Sequence, residues 1–165
     1  MKTIRGKSIV IFEYLGKYLF TICLEELTGK VYYIPVGGGI QFGERSDVAA
    51  KREVLEETGQ EVENLQLMDI SENIFTFNGV DEHEIVFSYI ASFKNTGAYQ
   101  SSFESSFKDN GESIKFIWAS IEEIKNQEIP VYPCTLLEVL EKNNKRLHAV
   151  YSQMDKNFVY PSVHS

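Results

Sequence analysis

The chain has 165 residues, 43% hydrophobic and 24% charged, with a net charge of −8. That size fits one globular domain with its own core, and the acidic balance argues against a general grip on nucleic acid, which needs a basic surface. No apolar run reaches the length of a membrane-spanning helix, no signal peptide opens the chain, and Cys23 and Cys134 have no metal-ligand spacing, so a reducing cytoplasm is the expected location.

The run Ser8 to Tyr14, with Ile9, Val10, Ile11 and Phe12, predicts a strand. Leu15-Gly16-Lys17 reads as a turn and Tyr18 to Leu24 as the return strand of a hairpin, with Cys23 as a small core residue. After a charged loop, Val31 to Ile34 is a short strand stopped by Pro35, which delivers the chain to a loop of three glycines, Gly37, Gly38 and Gly39. A helix follows, with Ser46 as N-cap, Asp47 in the first turn and Gly59 as the C-terminal stop. Val48, Val54 and Leu55 give it apolar surface, and Ala49 and Ala50 permit close packing.

Glu63 to Asn73 reads as a strand that Phe75 to Phe77 extends, Asn78-Gly79 as a turn, and Glu84 to Phe93 as a central strand covered on both faces. His83, at the edge of that strand, reads as a surface residue first and a substrate contact second. Asn95 to Gly111 is serine-rich with interleaved aromatics and reads as a long loop. Ser113 to Trp118 is the next strand, Ser120 to Glu123 a capping box opening a short helix, and Pro133 to Lys142 the last helix, striped by Leu136, Leu137 and Leu140. The expected organisation is one domain over residues 1–142, with 143–165 as its C-terminal tail.

Chemistry concentrates between Gly38 and Gly59. Glu53, Glu56 and Glu57 stand at i, i+3, i+4, which on a helix gathers them on one face. Like charges so placed repel, and a shared hard cation is the natural remedy, since such ions take carboxylate oxygens. A Glu-rich helix is most often only a solvated face. That bland account leaves unexplained the glycines, Glu44, Arg52 and their fixed offsets.

Gly38, five residues, Glu44, seven residues, Arg52-Glu53, aliphatic Val54, one residue, Glu56-Glu57, one residue and Gly59 resemble the Nudix box. Gln60 departs from it, standing where the family has an aliphatic residue. The resemblance implies an α/β fold, a Nudix-like α/β/α sandwich with a mixed β-sheet. It implies a hydrolase of phosphoric anhydride bonds acting on a nucleoside diphosphate derivative. Glu53, Arg52 and Glu57 would be catalytic. The carbonyl of Gly38 or Gly39, together with Glu53, Glu56 and Glu57, would bind Mg²⁺, with Mn²⁺ as an alternative. Glu44, Gly39 and Gly59 would be structural. An acidic residue from a late loop commonly completes the metal site, which points to Glu112, six residues before Trp118, with Glu104 as rival.

The resemblance implies a small nucleotide diphosphate derivative as substrate. Neither nucleic acid nor membrane is the expected partner. A homodimer stays open, with the 143–165 tail packing on its own domain or on a second subunit. The downstream signatures of the ADP-ribose, dinucleoside polyphosphate and NADH subgroups are absent near Phe75 to Asn78. Two rival readings keep the fold. One is a binding or sensing module without catalysis, against which the intact box glutamates count. The other is an isoprenyl diphosphate isomerase, for which no catalytic cysteine can be placed.

Overall fold

The computed structural model describes residues 2–100, 104–109 and 112–143. The expected tail from 144 onward lies outside them, as do Gly111 and part of the serine-rich stretch.

The first predicted strand divides. Ile4–Ile11 forms β1 and Glu13–Tyr14 forms β2. β2 makes the expected hairpin with β3 (Lys17–Leu24), but β1 enters a different sheet. The physical reason is the run Ile9 to Phe12, which is buried at every position. A strand apolar on both faces needs cover on both.

β4 (Val31–Ile34) pairs with β3. The glycines read as a loop instead form β5 (Val36–Gly39), an edge strand antiparallel to β1. Strand propensity is mostly side-chain packing, so it cannot register a strand built from backbone alone. β6 (Val62–Phe77) and β7 (Val80–Phe93) form a long hairpin whose turn residues, Asn78 and Gly79, have φ of 49° and 77°, as a two-residue Asn-Gly turn requires. β7 starts earlier than its apolar residues suggest, because the acidic residues at its start find cations across the sheet: Asp81 pairs with Lys2, and Glu82 and Glu84 with Arg5.

The long loop expected over 95–111 is corrected as well. Thr96–Gln100 is a 3₁₀ turn, and Glu104–Asp109 is a strand, β8, paired with β9 (Glu112–Ala119). Serine-rich sequence carries little strand signal, and β8 is held at a sheet edge by its ladder.

The first sheet has the order β5-β1-β7-β6 and is mixed, since β1 and β7 run parallel. The second has the order β2-β3-β9-β8, with β4 also on β3. Helix α1 (Ser46–Thr58) lays Ala50 and Val54 against the face of β1 and β7 that carries Val10 and Tyr89. On the other face, Ile9, Ile11 and Val86 pack with Ile124 of α2 (Ile121–Asn126) and with Leu136 and Leu140 of α3, helical over 136–143. The capping box of α2 forms as expected: Glu123 N–H donates to Ser120 Oγ, and Ser120 N–H donates to the Glu123 carboxylate at 2.7 Å. Helices on both faces of a mixed sheet make the expected α/β/α sandwich. No helix among the described residues is long and apolar enough to cross a membrane.

Candidate active site

The helix that carries the carboxylates is anchored differently from the sequence expectation. Its N-cap is Arg45, without a side-chain cap bond, and Ser46 is the first helical residue. The Ser46 hydroxyl instead meets the Tyr89 hydroxyl at 2.6 Å, and the Ser8 hydroxyl donates to Ser46 O at 2.7 Å. Both contacts tie the start of α1 to the sheet. The buried stripe is Ala49, Ala50, Val54 and Thr58, while Val48 and Leu55 are exposed. Two alanines at the contact bring the helix close to β1 and β5. At the other end Gly59 adopts φ 69° and its N–H donates to Leu55 O, which terminates the helix.

Arg52 organises the carboxylates. Its Nε and Nη2 donate to the two oxygens of Glu44 at 2.8 and 2.9 Å, a forked pair. Its Nη1 reaches Glu53 at 2.7 Å and Glu56 at 3.1 Å, and Nη2 also donates to Gly39 O at 3.0 Å. Glu44 further accepts from the Gln41 N–H. The Arg52 and Gln41 hydrogen bonds lower the Glu44 pKa to about 2, and the same carboxylates raise that of Arg52. The expected outcome for Arg52→Lys is a loss of kcat of about tenfold or more, because an ammonium cannot make the fork, bridge two further glutamates and reach a carbonyl at once. Steady-state kinetics decide it, and a lysine variant as active as the parent rejects a positioning role for Arg52.

The glycine strand lies directly against Glu53. A Cβ on Gly38 would sit 2.5 Å from the Glu53 carboxyl carbon. The ladder also fixes which carbonyls face outward. Ile40 N–H donates to Gly6 O, so the alternation of an antiparallel pair makes Gly38–Ser8 a hydrogen-bonded pair and turns the polar groups of Gly37 and Gly39 away from β1. Gly39 O is engaged by Arg52.

Glu57 is the exceptional carboxylate. Its Oε2 is buried and has no hydrogen-bond partner. Burial first, and the neighbouring Glu53 charge second, push its pKa up to about 8, while the Gly37 N–H and the Lys7 ammonium pull the other way. An orphaned, buried carboxylate oxygen beside a second carboxylate fits a divalent cation, which would supply the missing positive charge. Among the described residues, no three His, Cys, Asp or Glu side chains are already gathered as a metal cage. Glu53 and Glu56 are turned onto Arg52.

The raised Glu57 pKa has a stability consequence. Between the unfolded value near 4.5 and about 8, the folded chain keeps a proton that the unfolded chain has released. Stability of metal-free protein should therefore fall as pH rises through that window, by at most ~1.4 kcal/mol per unit. Melting temperatures across the window test this. Glu57→Gln should flatten the slope, and an unchanged slope assigns the titration to another group.

On the face of β1 opposite α1 lies a cavity of about 440 Å³, whose lining includes none of Glu44, Glu53, Glu56 and Glu57. Lys7, whose charge acts on Glu57, lines it. Arg5, Glu84 and Asn73 form one cross-strand row along its floor. Its aromatic residues include Tyr32, Phe75, Phe77 and Tyr132, with Phe75 and Tyr132 stacked at 6.4 Å between centroids. Sequence reading missed this group. Charges at alternate positions 5 and 7, just before a buried run, were its one visible signal.

Of the remaining candidates, His83 pairs with Glu72 at 2.6 Å and does not line the cavity. Cys23 is half-buried and Cys134 exposed. Glu112 is the first residue of β9, not the end of a loop, and Glu104 is the first of β8, a strand whose backbone runs beside α1.

A family model, the NUDIX domain, matches residues 21–137, well over half of the chain. The fold is similar to that of a MutT NUDIX hydrolase from Burkholderia pseudomallei, with TM-score 0.62 and 19% identity over 84% of this chain and 97% of that one. It is similar also to a NUDIX hydrolase from Nitrosomonas europaea, with TM-score 0.61 and 21% identity over 87% and 90%. A protein described as an ADP compounds hydrolase superposes with TM-score 0.62 and 16% identity over 88% and 76%. With the box on the helix and glycine strand just described, the chain belongs to the Nudix family of hydrolases.

Proposed function

We propose that the protein is a Mg²⁺-dependent hydrolase that cleaves a diphosphate linkage in a nucleoside diphosphate derivative. The observation that carries this reading is the buried Glu57 carboxylate next to Glu53, whose Oε2 has no hydrogen-bond partner; Lys7, whose charge acts on Glu57, also lines a cavity large enough for a nucleoside. Glu53, Glu56 and Glu57 would hold the cation, Mg²⁺ or Mn²⁺, together with a carbonyl of the glycine strand. Gly38 is the less suitable donor, since its carbonyl belongs to the ladder with Ser8; Gly37 faces outward. When bound, such an ion neutralises a diphosphate and lowers the pKa of a water.

The rest is the work of this chain's side chains. Arg52 holds the Oε1 atom of Glu53, which leaves Glu53 Oε2 to accept the proton of the attacking water. Glu44 and Gly39 hold Arg52 in turn. Lys7 lines the cavity and its charge acts on Glu57, so its ammonium would meet the phosphates of a substrate whose nucleoside fills the cavity. The test is a screen of nucleoside diphosphate derivatives with and without Mg²⁺, reading released phosphate and nucleotide. Turnover that depends on the metal is the expected result. No turnover of any derivative overturns the hydrolase reading and leaves a binding module.

Glu112 belongs to the same proposal as an additional metal ligand. Glu112→Gln should raise the Mg²⁺ needed for half-activity, or lower kcat, by about tenfold, and Glu104→Gln should do neither. An unaffected Glu112→Gln enzyme removes Glu112 from the site. An effect confined to Glu104→Gln moves the ligand to β8.

A further inference from the structure

Helix α1 lies mainly over β5 and β1, and on the same face of the sheet the apolar residues of β6 stay open to solvent. The register sets Leu67 opposite Tyr89, Ile70 opposite Phe87 and Ile74 opposite His83, alternate positions of β7 that share the α1 side. Leu67, Ile70 and Ile74 are each more than half exposed. The row of Ile74 and His83 ends on β1 at Ile4, which is 61% exposed. Ile85 and Phe87, both half-buried, fill the space between. A single exposed aliphatic residue needs no explanation, but a cluster of them on one sheet face marks a place where something docks.

The chain's own C-terminal segment is placed to reach it. On the opposite face of the sheet α3 runs to residue 143, and Lys142 in its last turn feels the charge of Asp69 on β6. β6 is the last strand of its sheet, so residues 144–165 set out from the sheet's outer edge. Roughly six extended residues span the ~20 Å from one covering layer to the other, which leaves residues 150–165 for the open face. There Val150, Tyr151, Met154 and Phe158 stand at i, i+1, i+4 and i+8, a spacing that falls on one side of a helix.

Charge favours this segment over a second copy of the sheet. β6 carries Glu63, Asp69 and Glu72 and no basic residue, so two such strands meeting about a two-fold axis would oppose like charges. From Lys142 to Met154 the chain carries Lys142, Lys145 and Arg146 and no acidic residue, in a protein of net charge −8. We propose that residues 144–165 cross the outer edge of β6 and pack Val150, Tyr151, Met154 and Phe158 on Leu67, Ile70 and Ile74, with Lys145 and Arg146 against the acidic strand. The contact would cover the apolar face and shield the long edge strand from other chains.

The test is photo-cross-linking of the full chain with p-benzoylphenylalanine in place of Ile70 and, separately, of Ile74. Both positions are exposed, so the fold should tolerate either change. On irradiation, the main product at one position or both should be a link within one chain to a peptide from residues 144–165, identified by mass spectrometry. Adding Lys145→Glu and Arg146→Glu together should lower the yield of that link about threefold through like-charge repulsion with β6. Adding Val150→Asp and Tyr151→Asp together should lower it about tenfold, since a carboxylate buried on an apolar face is costly. Links that mainly join two chains identify a second copy as the occupant and overturn the proposal. Links confined to residues 1–143, no link at either position, or a yield unchanged in both tail variants overturn it as well.

Discussion

Glu57→Gln should lower kcat by about a thousandfold or more, equivalent to ~4 kcal/mol of transition-state stabilisation, while the fold persists. Glutamine keeps the shape of the side chain and removes the charge. In the metal-free protein that charge is a burden, since burial and Glu53 already raise the Glu57 pKa to about 8. Folding therefore loses nothing at neutral pH when the charge is deleted, and the variant should melt at or above the parent temperature. Catalysis loses the deepest carboxylate of the set, whose Oε2 has no protein partner. Kinetics and thermal melting on the same preparation separate the two effects. Activity within about threefold of the parent, less than the tenfold that 1.4 kcal/mol represents, would sink the assignment of Glu57 to the metal. A variant that is inactive because it is unfolded would fail the stability half.

What could be read from the sequence depended on where the information was local. The helix was legible because Gly59, Val54 and the carboxylates at i, i+3, i+4 signal within one element. The Asn78-Gly79 turn and the Ser120 to Glu123 box were legible for the same reason. The division of the first strand was not, because nothing within Ile9 to Phe12 says which sheet will cover each face. β5 was hidden because glycines have no side chains to alternate. β8 was hidden because serines bear no pattern. The carboxylates of the site were named in advance; their arrangement around Arg52, including the bond to Gly39 O, required the fold. The cavity floor required it most. Arg5, Glu84 and Asn73 are separated in sequence and meet only because β1 and β7 run parallel while β6 folds back on β7.

The glycine strand offers the sharpest separation of site from scaffold. A Cβ on Gly37 would lie 2.2 Å from Ser8 O and 2.7 Å from the Ile9 Cα, and the residue has φ 151°. Both obstacles are backbone and neither can yield locally. Gly37→Ala should therefore destabilise the fold by ~3 kcal/mol or more, lowering Tm by roughly 10 °C. At Gly38 the obstacle is different in kind. The nearest atoms to a Cβ, at 2.5 Å, are the carboxyl carbon and oxygen of Glu53, the far end of a flexible side chain. Glu53 can swing aside at little cost to folding, but it then leaves Arg52 Nη1 and the place beside Glu57 where the proposed chemistry needs it. Gly38→Ala should melt within a few degrees of the parent yet lose about a hundredfold or more in kcat, since small displacements of a reacting group cost that much. Melting curves and kinetics on both variants test the pair together. If Gly38→Ala retains near-parental kcat, Glu53 does not act from the position it holds against the glycine strand. If it unfolds like Gly37→Ala, the glycine serves the scaffold and its closeness to Glu53 is incidental.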